Sequence, residues 1–277
     1  MNGDGADDLV FLQPHKLAVK AVSAKDLSET FEKEEILGLD TSKVRQAWLV
    51  PNFPDLDGDG LDECLIGVRS DAGAEWVFAS GKDFRVIKRV PVTGELAWGI
   101  AHLYGAGDLN GDGVVDLIIT KNCGAKADKD VSYLGALSGA DGSELWQIAG
   151  NSLPGGPKRF AVDAKTGERR DLPGDVGFGG RPEILVDLDG DAAREIACAL
   201  PTIVGGERTQ GVLIFSGATG AHLTTLALPS SQGRLLGEQM LLIPRFDPAG
   251  APVLAVSGQA PDKKYVVAVF DLPKIKR

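Results

Sequence analysis

The stretch Pro54–Glu63, PDLDGDGLDE, sets five acidic residues in ten positions and then runs directly into the apolar CLIGV. Like charges a few ångströms apart repel, and no Lys or Arg within the stretch relieves them. Either this is a solvated turn, or a cation sits among the carboxylates. The pattern recurs. LDGDGLDECLIG (56–67) is matched by LNGDGVVDLIIT (109–120), by LDGDAAREIACA (188–199) and by the opening MNGDGADDLVFL (1–12), with a weakened copy FDPAGAPVLAVS at 246–257. Counted from the residue before each copy, the loops start at 0, 55, 108, 187 and 245, giving spacings of 55, 53, 79 and 58. A period in that range signals a repeat architecture of stacked supersecondary units.

Each unit reads alike. An apolar segment precedes the loop (QAWLVPNF, GIAHLYGAG, PEILVDL, QMLLIPRF) and a second follows it (DLVFL, ECLIGV, DLIIT, EIACAL, VLAVS). A third comes after a variable connection (EWVFASG, LGALSG, VLIFSG), and a short turn then leads to a last strand-like piece, as in SGADGSELWQI and SGATGAHLTTL. Four short strands per unit is the size of a propeller blade. The fold class expected is therefore all-β, a β-propeller of about five four-stranded blades, either complete or part of a larger ring. The units fall at 1–46, 47–98, 99–150, 176–232 and 233–277 of one domain or domain fragment, with an insertion at 151–175. Only DLSETFEKEEILG (26–38) suggests a helix. The first unit lacks a strand before its loop, and the last, ending FDLPKIKR, leaves room for at most a short fourth strand. We therefore expect a piece of a longer protein with a further strand upstream of Met1.

The loops alternate oxygen donors. Asp55, Asp57, Asp59 and Glu63 occupy positions 1, 3, 5 and 9, with the backbone carbonyl of Leu61 available at position 7. The next copy sets Asp108, Asn110, Asp112 and Asp116 there, with Val114 at position 7; the third sets Asp187, Asp189, Asp191 and Glu195, with Ala193. The first copy keeps Asn2, Asp4 and Asp8, with Ala6. The last has Arg245, Asp247, Ala249 and Val253, so we expect it to hold no ion. Oxygen ligands around a tight turn suit a hard cation, and the flexible six-to-eight-oxygen geometry of calcium fits better than the strict octahedron of magnesium. The absence of His and Cys from the set disfavours zinc and copper. Gly60 and Gly113 stand at position 6, where a sharp turn favours a residue without Cβ; Ala192 replaces glycine in the copy at 187–195, where either a more strained loop or a weaker hold on the metal is expected. An EF-hand fails on spacing, because position 12 from Asp55 is Ile66 and a strand-like run follows. The competing interpretation, Asp-Gly and Asn-Gly hairpin turns with solvated acids, does not require four carboxylates or amides at alternate positions. Three to four calcium ions are expected, and four would set eight positive charges against a formal net charge of −10.

YGAGDLNGDGVVDLIIT (104–120) resembles the FG-GAP repeat, also called the VCBS repeat, of integrin α-subunit propellers and many bacterial surface proteins; FGGRPEILVDLDGD (178–191) is a looser match. The resemblance implies a β-propeller with calcium held in the loop between the first two strands of a blade, by the residues named above.

Net acidity argues against nucleic acid as partner, and no apolar stretch reaches the ~20 residues of a membrane span. The chain opens MNGDGADD, polar from the start, so no signal peptide is legible. Three cysteines, Cys64, Cys123 and Cys198, make no disulfide framework, and Cys64 and Cys198 read as small buried hydrophobes. His15, His102 and His222 fall in different units, with His102 expected in the core. Trp48, Trp76, Trp98 and Trp146 recur near strands and read as core. FGGR (178–181) and VGGER (204–208) read as turns. No catalytic residue is assignable. The insertion contains KRFAVDAKTGERRDLP, expected as a hairpin carrying Lys158, Arg159, Arg169 and Arg170, where irregular structure on a rigid scaffold can bind a protein or glycan; the plainer alternative is a solvated hairpin. The function expected is a calcium-stabilised extracellular or cell-surface binding or adhesion module. The alternatives are the propeller domain of a polysaccharide lyase or hydrolase, or a structural spacer.

Overall fold

The computed structural model describes residues 8–13, 16–23, 25–27, 29–33, 38, 40–53, 55–71, 73–92, 100–121, 132–150, 158–162, 169–175, 178, 181–204, 207–227, 235–243, 252–259 and 265–275. Beyond one short 3-10 turn at Thr41–Lys43, the regular structure described is all strand. The chain divides into two compact units: Met1–Trp98 with Gly139–Ser143, and Gly99–Ser138 with Glu144–Arg277.

In the first unit, β1 (Asp8–Gln13), β2 (Ala18–Ser23) and β3 (Glu29–Lys33) form one antiparallel sheet. β4 (Val44–Phe53), β5 (Glu63–Ser70), β6 (Gly73–Ala79) and β7 (Val86–Val92) form a four-stranded meander. The helix expected over 26–38 is instead strand at Glu29–Lys33. Val19 stands opposite Lys33 and Ala21 opposite Phe31, so pairing with the largely buried β2 overrides the helical leaning of a Glu/Lys-rich segment. β4 also begins earlier than the unit boundary at 46/47 implied. The interior strand β5 is buried along ECLIGV, as befits a strand covered on both faces. Leu17, Val19, Cys64, Ile66, Val77 and Phe84 pack together in the core of this unit.

The second unit repeats the plan with β8 (Ile100–Gly107), β9 (Asp116–Lys121), β10 (Tyr133–Leu137) and β11 (Glu144–Ala149), again in sequential antiparallel order. The insertion holds the two-stranded hairpin β12 (Lys158–Val162) and β13 (Arg169–Asp175). A second four-stranded sheet follows: β14 (Glu183–Ile184), β15 (Ile196–Val204), β16 (Glu207–Phe215) and β17 (His222–Ala227). The last sheet is β18 (Leu235–Ile243), β19 (Val253–Gln259) and β20 (Tyr265–Asp271); residues 272–275 lie outside any strand. Ile118, Leu134, Trp146, Phe178, Ile196 and Phe215 form one core cluster, and Leu185, Ala197, Ile214, Leu254 and Val256 belong to another.

Trp76 and Trp146 are buried, as expected, whereas Trp98, His15, Cys123 and the side chain of His102 lie outside what is described. Cys64 and Cys198 are buried free thiols, and burial pushes the Cys64 thiol up to about 12. Both therefore behave as inert core hydrophobes. Among the described residues no helix is long and apolar enough to cross a membrane.

The hairpin turns inside the blades are built alike. In Ser80–Arg85 the amide of Phe84 donates to Ser80 and that of Ser80 to Arg85; in Ser216–Ala221 Gly220 donates to Ser216 and Ser216 to Ala221. The fifth turn residue takes a left-handed backbone each time: φ is 53° at Phe84, 77° at Gly142 and 71° at Gly220. A register shift lies just before each turn, at Phe78/Ala79, Ala136/Leu137 and Ile214/Phe215.

Candidate metal centres

The three described acidic loops share one hydrogen-bond scheme, which follows from the alternation of short polar side chains with glycine. At position 1 one carboxylate accepts several amides. Asp55 takes those of Gly58 (2.7 Å), Asp59 (3.2 Å) and Gly60 (2.8 Å). Asp108 takes those of Gly111 (2.6 Å), Asp112 (3.1 Å) and Gly113 (2.8 Å), and Asp187 those of Gly190 (2.6 Å) and Ala192 (3.0 Å). Position 3 accepts the amide of position 5, at Asp57, Asn110 and Asp189. Position 5 accepts the amide of position 7, as Asp59 does from Leu61, Asp112 from Val114 and Asp191 from Ala193. Position 9 reaches back to position 2: Glu63 to Leu56 (3.0 Å), Asp116 to Leu109 (2.8 Å) and Glu195 to Leu188 (2.7 Å).

Turning the chain this sharply needs left-handed residues at positions 4 and 6. Gly58, Gly60, Gly111, Gly113 and Gly190 supply φ of 78–85°. Ala192 adopts φ 73° with a Cβ attached, so the strain expected from the sequence is present.

Converging amides set the electrostatics of position 1. The carboxyl of Asp55 is held below the usual range chiefly by the Gly60 amide, and that of Asp187 chiefly by the Gly190 amide. Desolvation pulls upward on Asp108, but its backbone donors together outweigh it and the net shift is down. Position 9 behaves oppositely. Glu63 and Glu195 are 1% and 0% exposed, and desolvation raises both, Glu195 to about 7. Nearby acids add to that rise: Asp57 and Asp55 for Glu63, Asp189 and Asp187 for Glu195.

One oxygen of each of these glutamates is left over. Glu63 Oε2 and Glu195 Oε1 are buried and have no hydrogen-bond partner among the described residues. Carboxylate oxygens of Asp187, Asp189, Asp191 and Glu195 all lie within 4.8 Å of one another, as do those of Asp55, Asp57 and Glu63. An unpartnered buried carboxylate oxygen among other acids is costly unless a cation neutralises it. The donor set is all oxygen, the chemistry of a hard divalent ion, and these loops fit one.

Asp59 and Leu61 lie in the 55–63 loop, though Asp59 is not in its converging carboxylate set. In the 108–116 loop the Asn110 amide donates to Asp112 Oδ2 (3.0 Å), and Asp116 is fully buried at the start of β9. Asp8 opens β1 as Glu63 opens β5, while Asn2, Asp4 and Ala6 lie outside the described residues, as do Arg245, Asp247 and Ala249. Val253 opens β19 as an apolar residue.

A family model described as "FG-GAP-like repeat" matches residues 55–119, a span that opens on Asp55 and contains two of the three described loops. The chain carries an FG-GAP-like repeat. The four-stranded meanders around the repeat are propeller blades, sheet by sheet. No curated protein matches this chain. Among solved structures it is similar to one titled "Structure of Dos1 propeller" (TM-score 0.46, 9% identity, covering 92% of this chain), of which it spans 49%. It is also similar to an endo-arabinase from Bacteroides thetaiotaomicron VPI-5482 (TM-score 0.42, 12% identity, covering 98% of this chain and 96% of that one).

Lys158, Arg159, Arg169 and Arg170 fall on the paired strands β12 and β13, with Ala161 opposite Arg170 and Val162 opposite Arg169. The expected hairpin is thus present.

Two further kinds of residue belong to the loops and escape a reading of the acids alone. A Cβ at Gly81 would run into the carbonyl oxygen of Asp62, and one at Gly217 into that of Arg194. Both carbonyls are position 8 of their loops, so the recurrent Ser-Gly of the hairpin turn is where the acidic loop leans on its blade. The repeated SG was visible in the sequence, but its partner was not. The second is Arg85, whose guanidinium Nη2 lies 2.8 Å from Asp57 Oδ2.

Proposed function

We propose that this chain is a calcium-stabilised β-propeller module that acts by binding, as an extracellular recognition or adhesion unit. The observation carrying the calcium reading is the pair of buried, unpartnered oxygens, Glu63 Oε2 and Glu195 Oε1, set among the alternate acids of two loops. Calcium completes such a set with the position 7 carbonyls of Leu61, Val114 and Ala193, and its tolerance of irregular coordination suits loops whose backbone is already fixed by hydrogen bonds. Three to four ions would be held, the fourth by Asn2, Asp4, Ala6 and Asp8. Loops of this type are suited to compartments with millimolar calcium, which supports a location outside the cell. The binding role is supported by the β12–β13 hairpin, which interrupts the blade series with four cationic residues; its partner would be an acidic protein surface or glycan.

Thermal unfolding of chelator-stripped protein tests the reading. Calcium should raise the melting temperature well above magnesium at equal concentration, because an ion bound only by the folded state stabilises it. Equal curves with calcium and with chelator would sink it.

A further inference from the structure

The Arg85–Asp57 contact joins a hairpin turn to an acidic loop. Arg85 closes the turn between β6 and β7; the residues at the same turn position in the other two four-stranded meanders are Ser143 and Ala221. Asp57 is the position 3 ligand of the 55–63 loop. Its Oδ1 accepts the Asp59 amide and its Oδ2 takes the Arg85 guanidinium at 2.8 Å. The Asp57 side chain is only 14% exposed, whereas that of Arg85 is 58% exposed. Asp57 also belongs to the convergent set with Asp55 and Glu63, into which the unpartnered Glu63 oxygen is buried. We propose that Arg85 competes with the cation for Asp57 and so sets the concentration at which the 55–63 loop loads. This inference rests on the calcium reading above.

Two physical terms act in the same direction. The guanidinium must release or share Asp57 Oδ2 before the ion takes it, and a fixed positive charge a few ångströms away repels an incoming dication. A serine or alanine at that turn position supplies neither term. The loop thus carries its own counter-ion, held by the same turn whose Gly81 packs on the Asp62 carbonyl.

Isothermal titration of calcium chloride into the chelator-stripped full chain separates the possibilities. Arg85→Ser, the residue of the sister turn at 143, should tighten one class of site roughly fivefold and leave the others unchanged. Arg85→Lys, which keeps the charge, should stay within about twofold of the starting protein. The double variant Asp55→Asn with Arg85→Ser should lose the tightened class, which assigns the gain to this loop. Unchanged affinity in Arg85→Ser, or a tightened class that survives Asp55→Asn, would overturn the proposal while leaving calcium binding intact. Absence of any calcium binding by the unaltered chain would instead remove the reading on which it rests.

Discussion

The indole N–H of Trp146 donates to the backbone carbonyl of Gly217 at 2.7 Å, tying β11 to the turn between β16 and β17 across 71 residues of chain. The same ring covers Gly220, where an added Cβ would meet Trp146 Cε3 at 2.8 Å and where φ is +71°. A methyl there is disfavoured twice, by backbone conformation and by the ring. Gly220→Ala should lower stability by about 2–3 kcal/mol, and Trp146→Phe, which leaves a buried carbonyl short of its donor, by about 1–3 kcal/mol. Urea unfolding of both variants measures these values; a neutral Gly220→Ala would contradict the packing described.

The contact of Gly81 with the Asp62 carbonyl makes a second prediction. Gly81→Ala pushes a Cβ against the Asp62 backbone, which no rotamer change relieves, so the loop must move. The variant should lose about 2 kcal/mol or more. It should also bind calcium more weakly at the 55–63 loop, as read by titration calorimetry. Gly73→Ala serves as a comparison: its φ is +139° but nothing lies near its Cβ, so it should destabilise without touching calcium affinity.

Ala192 carries the same left-handed backbone as Gly60 and Gly113 but retains its Cβ. Ala192→Gly should therefore stabilise the folded chain, by roughly 0.5–1 kcal/mol once the greater freedom of glycine in the unfolded chain is counted. Thermal melts in chelator detect it as a rise in melting temperature, and a fall would mean that the loop bears no strain at this residue.

Glu195 predicts a pH dependence for the stripped protein. Its carboxyl is raised in the fold to about 7 by desolvation first and then by Asp189 and Asp187, against an ordinary 4.5. The folded state therefore binds the proton more tightly than the unfolded one, and the stabilisation is fully present below about 4.5 and lost as pH rises through 7. Discounting for water reaching the loop, the loss should be roughly 1–2 kcal/mol between pH 5 and 8. Glu195→Gln should flatten that slope. The lowered carboxyls of Asp55, Asp108 and Asp187 act in the other direction at lower pH, where their stabilisation fades as pH falls below their ordinary 3.8. Calcium requires the ionised glutamate, so added calcium should stabilise more at pH 8 than at pH 5.

Much of this was legible because the sequence repeats. The loop positions of Asp55, Asp108 and Asp187, the strands on either side, and the strained Ala192 all follow from aligning one copy on another. What one copy does not contain was illegible. Glu29–Lys33 reads as helix until β2 pairs with it, since local propensity yields to a sheet edge supplied by another segment. The Arg85–Asp57 pair spans 28 residues and depends on two turns meeting at one end of a sheet, which no spacing rule reports. Likewise, the repeated Ser-Gly marks a turn by its composition, but the carbonyl that demands a glycine comes from a different loop.

Asp55 and Asp108 each gather three backbone amides and Asp187 two, within a scheme that also engages positions 3, 5 and 9. Backbone bonds of this kind brace the loop from within the chain, so a cation taken up there would find little chain entropy left to lose. It would act less as a folding trigger than as a clamp on a part the chain already holds together.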